Sequence, residues 1–175
     1  MCMDLPYSTE DLPTAFEDGY TSDKHVRQID IGEYGVTDTG DTFVTYGLGS
    51  CLGVALFDER KCVTGVIHIK RPTAPRGTEA NNAAFADTGI RMLFDEMQSY
   101  GATAQNVTAT LAGGSDIDGA AAAVTMDIGR KNINQAKQTL EKLGITISDT
   151  TVGGNEVMST YFDGGSGEVT IETLS

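Results

Sequence analysis

The amino-acid sequence predicts one α/β domain, and three observations carry that expectation. Apolar residues recur at three- and four-residue steps in two long stretches, the period of an amphipathic helix. Shorter runs rich in Val, Ile, Thr and aromatic residues alternate, or stay apolar for seven residues, as strands do. The length of 175 residues suits a single hydrophobic core, and no repeat or internal linker divides it.

Residues 1–26 carry clustered acid and two prolines without a sustained period, and read as a poorly ordered lead-in. Strands are expected over "VRQIDIGEYGVTD" (26–38) and "DTFVTYG" (41–47), where β-branched and aromatic residues alternate. "GLGS" (47–50) breaks that pattern. "CLGVALF" and "CVTGVIH" follow as two apolar strands around the polar loop "DERK", and "KRPTAPRGTEANN" (70–82) is a loop by its Pro, Gly and Asn content. "EANNAAFADTGIRMLFDEMQSYG" (79–101) predicts a helix with Ala86, Ile90, Leu93, Phe94 and Met97 on one face and Gly101 just past its end. "NVTATLAGGSDIDG" (106–119) reads as a strand entering a Gly-rich loop. "DIGRKNINQAKQTLEKLGI" (127–145) predicts a second helix, with Asp127 as cap, Ile133, Ala136, Leu140 and Leu143 as the stripe, and Gly144 as the stop. "ITISDTTVGG" (145–154) and "STYFDGGSGEVTIETL" (159–174) close the chain as strands, the last pair turning at Asp163–Gly167.

Composition narrows the function classes. No stretch approaches the roughly 20 apolar residues of a membrane helix, so no membrane insertion is expected. The acidic start lacks the basic-then-apolar order of a secretory signal, which points to a cytoplasmic protein. Cysteines stand at positions 2, 51 and 62 without a C-x-x-C pair, and the two histidines, His25 and His68, lie far apart. Neither a metal site nor a disulfide framework is expected, and Cys51 and Cys62 read as free thiols, Cys62 as a packing one. Acidic residues outnumber basic ones 25 to 12, a net charge of −13 that repels phosphate backbones and argues against nucleic acid. Spread along the chain, this acid suggests a halophilic source; the alternative is an ordinary acidic cytosolic protein.

Chemistry concentrates around the hairpin. Pairing Phe57 with Cys62 across "DERK" places Cys51 directly opposite His68, on one face, with Cβ atoms about 4.5–5.5 Å apart. An imidazolium there lowers the thiol pKa and supplies a thiolate, and the same imidazole protonates a leaving amine. Gly47 and Gly49, with Ser50, allow a tight turn and close approach by a substrate, and leave the Cys51 amide as an oxyanion donor. The alternative is that Cys51 is a small buried hydrophobe and His68 a satisfied strand histidine. Lys70, Arg71 and Arg76 put three of the twelve basic residues into seven positions beside His68, a candidate docking rim for an acidic partner.

"TYGLGSCLGVALFD" followed by "GVIHIKRP", "FADTGIRMLFDEM", "LAGGSDI", "IGRKNINQAKQTLEKLGI" and "GGNEVMSTYFDGGSGEVTI" resembles, in order, the chemoreceptor glutamine deamidase family, CheD. The resemblance covers nearly everything from Val26 onward. It implies a single-domain layered α/β sandwich with helices packed on β-sheet, shared with toxin-type glutamine deamidases, over residues 27–175. It also implies a catalytic set in which Cys51 is the nucleophile, His68 the base and Thr45 the third member. Thr45 ends a strand and could fix the imidazole tautomer. Arg71 and Ala112 depart from the family pattern, which usually has an apolar and an aromatic residue there; both bear on docking. The implied activity is hydrolysis of glutamine side-chain amides on cytoplasmic helices of chemoreceptors, with no metal or organic cofactor. Two other functions stay open: a non-catalytic regulator binding the phosphatase CheC or another signalling protein, and a receptor methylesterase using the same residues.

Overall fold

A computed structural model describes residues 25–77, 82–116 and 127–174. Expectations for residues 1–24, 78–81 and 117–126, most of the acidic lead-in among them, lie outside the described residues. In chain order the described strands and α-helices are β1 (Val26–Gln28), β2 (Tyr34–Thr37), β3 (Thr42–Leu48), β4 (Leu52–Asp58), β5 (Val63–Ile69), α1 (Ala86–Ser99), β6 (Val107–Gly113), α2 (Ile128–Leu143), β7 (Thr146–Val152), β8 (Val157–Asp163) and β9 (Val169–Leu174), with a 3-10 turn (Asn82–Ala84) before α1. No helix among the described residues is long and apolar enough to cross a membrane.

The strands form a four-stranded sheet, β1-β3-β8-β9, and a five-stranded sheet, β2-β5-β4-β6-β7. Both helices cover one face of the five-stranded sheet, and the four-stranded sheet covers the other. Period-two alternation in β4 builds both contacts. Leu52, Val54 and Leu56 join Ile67, Leu93 and Leu140 in the large core under the helices. Ala55 instead meets Val66, Phe43 and Phe162 between the sheets. Every residue of β5 is buried, Thr64 and His68 included, so its sequence shows no apolar–polar alternation. Only β6 and β7 pair in parallel within this sheet, and α2 is the crossover such a pair requires. The expected layered α/β sandwich is therefore the observed fold.

Two element boundaries and one helix cap differ from expectation, each for a local reason. The single strand expected over 26–38 divides into β1, parallel to β3, and β2, antiparallel to β5, so one segment feeds both sheets. Gly32, at φ +79°, makes the turn between them, and its N–H donates to the His68 carbonyl at 2.9 Å. The first helix starts at Ala86 rather than 79, because Phe85 is extended (φ −111°, ψ 138°) and bridges to Arg71. Its stripe of Ala86, Ile90, Leu93, Phe94 and Met97 is buried as the period predicts. Asp127 heads α2 but adopts φ +79° and makes no side-chain cap; its carboxylate pairs with Arg130 at 2.9 Å instead.

Candidate functional site

The β4–β5 hairpin turns over residues 59–62, one residue later than the sequence suggests. Asp58 pairs with Val63, Phe57 with Thr64, and Gly53 with His68. Buried Asp58 anchors the turn: its carboxylate accepts the N–H groups of Arg60 and Lys61, both at 3.0 Å, and of Thr103 at 3.1 Å. Cys62 closes the loop at φ +54°, a left-handed conformation that cannot extend the ladder. The expected Phe57–Cys62 and Cys51–His68 pairings are corrected accordingly. The ladder has slipped by two residues, an even number, so every side chain keeps its face. Cys62 is disulfide-bonded, not the free packing thiol expected, whereas Cys51 is free.

Cys51, half-buried, packs against Leu48, Ala112 and Met158 between the sheets. Ala112, Gly53 and His68 form one cross-strand row, so thiol and imidazole share the inter-sheet face. A Cβ on Gly53 would stand 3.7 Å from Thr45 Oγ1, which places Thr45, Gly53 and His68 around one space. Thr45 pairs with Thr160 across β3 and β8, and their hydroxyls share a 2.6 Å hydrogen bond.

His68 is 2% exposed, and its Nδ1 lies 3.3 Å from the Ile29 carbonyl oxygen. A carbonyl only accepts, so the proton sits on Nδ1 and Nε2 carries the lone pair. That Nε2 is buried and has no hydrogen-bond partner among the described residues. The Ile29 backbone, rather than Thr45, thus selects the tautomer, and Cys51 and His68 share no hydrogen bond. Burial pushes the Cys51 thiol up, opposed by the Lys70 ammonium. Burial also pushes His68 down, opposed by the Ile29 carbonyl and Asp30. The resting pair is therefore thiol and neutral imidazole, where the sequence suggested thiolate and imidazolium.

The loop before Cys51 is built as expected at one glycine and differently at the other. Gly47 takes φ +67°, with open space where a side chain would stand. Gly49 is buried, its carbonyl accepting the Ser115 N–H at 2.7 Å, so it packs the loop rather than facing solvent. Ser50 is partly exposed and borders an open cleft of about 370 Å³ with Ser115, Asp116, Arg130 and Gly154. Lys70, Arg71 and Arg76 are all exposed.

The family model described as CheD chemotactic sensory transduction matches residues 70–173, more than half of the 175 residues. The chain belongs to the CheD family. A probable chemoreceptor glutamine deamidase CheD of Desulforamulus reducens is 39% identical, covering 84% of this chain and 90% of the relative. Relatives with the same description from Haloarcula marismortui and Thermococcus kodakarensis are each 33% identical over 85% of this chain, and over 85% and 92% of their own lengths. Among solved structures, the Bacillus licheniformis hypothetical protein YfiH matches at TM-score 0.45 and 12% identity, over 67% of this chain and 49% of that one, a likeness that carries no argument.

In this CheD chain, sequence reasoning missed Ile29, Gly53, Thr160 and Asn132. The Ile29 contact is a backbone carbonyl and has no sequence signal. Gly53 follows once the register is right. Asn132 had a signal: it lies four and eight residues before Ala136 and Leu140, a polar residue on the buried side of α2. Its Nδ2 donates to the carbonyls of Ser50 at 2.9 Å and Lys70 at 3.2 Å.

Proposed function

We propose that this chain hydrolyses glutamine side-chain amides of chemoreceptors to glutamate, with Cys51 as nucleophile and His68 as base. One observation carries the reading most: a buried imidazole with a free Nε2 lone pair shares a sheet face with a partly exposed cysteine on a glycine turn. Membership of the CheD family supplies the substrate class.

In this mechanism His68 Nε2 takes the thiol proton as Cys51 Sγ attacks the amide carbon. The Cys51 N–H, which donates to nothing among the described residues, holds the oxyanion. Collapse breaks the C–N bond, ammonia leaves with the proton carried on Nε2, and a thioester remains. His68 then deprotonates water, which releases glutamate and restores the thiol. The Ile29 carbonyl steadies the imidazolium at Nδ1, and Thr45, held by Thr160, lies beside Gly53, the cross-strand partner of His68. Apo catalytic pairs often tighten only with substrate, and the Gly47 turn is where the loop can adjust. The exposed Lys70, Arg71 and Arg76 beside β5 form the docking rim for acidic receptor helices. In strong salt, long-range steering would be screened and only contact pairs would act.

The test is ammonia release from a purified receptor cytoplasmic fragment. Wild type should release it, Cys51→Ala should not, and His68→Ala should be slower by about 10²–10⁴-fold. Equal release by Cys51→Ala would overturn the assignment.

A further inference from the structure

We infer that Asn132 is a positioning residue for deamidation: it pins the Ser50–Cys51 peptide so that the Cys51 N–H faces the developing oxyanion. This rests on the reading of Cys51 as nucleophile. Asn132 is fully buried on α2, on the helix side of the five-stranded sheet. Its Nδ2 donates to the Ser50 carbonyl at 2.9 Å and to the Lys70 carbonyl at 3.2 Å. Those carbonyls belong to the residue before the nucleophile and to the second residue after the base. One side chain therefore clamps the ends of both strands that carry the chemistry.

The peptide geometry gives the clamp its consequence. The Ser50–Cys51 bond is trans, so its C=O and N–H point in opposite directions. Drawing the carbonyl toward α2 turns the Cys51 N–H away from the helix layer. On the other side of Cys51, its own carbonyl accepts the Gly114 N–H at 2.8 Å. Both peptides flanking the nucleophile are thus fixed from outside the loop, while the Cys51 N–H donates to nothing among the described residues. A donor fixed before the reaction needs no reorganisation as charge develops, which is what makes it effective. Asn132 Oδ1, by contrast, is buried and has no hydrogen-bond partner among the described residues. An unsatisfied buried acceptor is destabilising, so packing alone is a poor reason for an asparagine here.

The experiment compares two reactions at one sulfur in the full-length protein. Deamidation of a receptor fragment passes through an oxyanion; alkylation of Cys51 by iodoacetamide does not. Asn132→Ala should lower kcat for deamidation by about 100-fold, with KM and the alkylation rate each changed less than about 3-fold. Asn132→Asp, which keeps the shape and loses both donors when ionised, provides a second variant should alanine fail to fold, and should show the same split. Asn134→Ala, on the exposed side of α2, is the control and should behave as wild type. Unchanged kcat in folded Asn132 variants would overturn the inference. So would parallel losses in kcat and alkylation, which mark general loosening. Failure of wild type itself to deamidate would instead sink the underlying functional reading, and this inference with it.

Discussion

At the scale of single residues, burial favours the neutral forms of Cys51 and His68, and that gives the candidate site a measurable pH signature. The Cys51 thiol is raised above its ordinary value of 9.0, so its iodoacetamide labelling rate should still be climbing at pH 9.0. A plateau near neutral pH would mean a preformed thiolate. His68 is lowered from 6.5, so the unfolded chain binds its proton more readily than the folded one. Stability should therefore be full above 6.5 and fall as pH drops from there through the folded pKa. His68→Asn should flatten that part of a denaturant-midpoint profile, and an unchanged slope would show that other groups cause it. Cys51 and His68 stand out in the sequence because thiol and imidazole are rare, and the structure brings them to one sheet face although Cys51 precedes β4. The Ile29 carbonyl was not, since every residue has one, and Thr45 was legible through the family resemblance alone.

At the scale of elements, what the sequence revealed best was periodicity, and what it concealed was pairing. The stripes of α1 and α2 follow from spacing alone. The hairpin turn depended on Asp58 gathering three N–H groups from two segments, a contact with Thr103 that local pattern cannot display. The two-residue slip was harmless to the site, whereas a slip of one would have sent His68 to the helix layer. Tight seating of α1 on β5 yields a prediction. A Cβ at Gly89 would lie 2.6 Å from the Ala83 carbonyl oxygen and 2.7 Å from Ile67 Cδ1. Gly89→Ala gains about 1 kcal/mol of helix propensity. Overpacking costs about 1–3 kcal/mol and should win, because one of the clashing atoms is backbone. The denaturant midpoint should fall; a rise would mean that α1 can shift freely on the sheet.

At the scale of the whole molecule, a net charge of −13 coexists with an exposed basic loop beside His68. Self-repulsion across that surface should make the unfolding midpoint rise with added KCl, as counter-ions screen it. A midpoint indifferent to salt would remove the halophilic reading. Replacing Arg71 and Arg76 together by Ser should raise KM for a receptor fragment several-fold, about 3- to 10-fold, with kcat nearly unchanged. If kcat falls instead, the loop supports the catalytic groups and does not dock substrate. The assignment of strands to two sheets was invisible in the sequence, because sheet membership is decided by long-range contacts such as Phe43 and Phe162 against Ala55 and Val66. The central claim is covalent amide hydrolysis by Cys51, and intact-mass analysis of a receptor fragment tests it most directly. Each glutamine converted to glutamate adds about one dalton, the exchange of an amide for an acid through a thioester. Wild type should produce that gain and Cys51→Ala none; an unchanged mass with wild type, or the same gain with Cys51→Ala, would contradict the account.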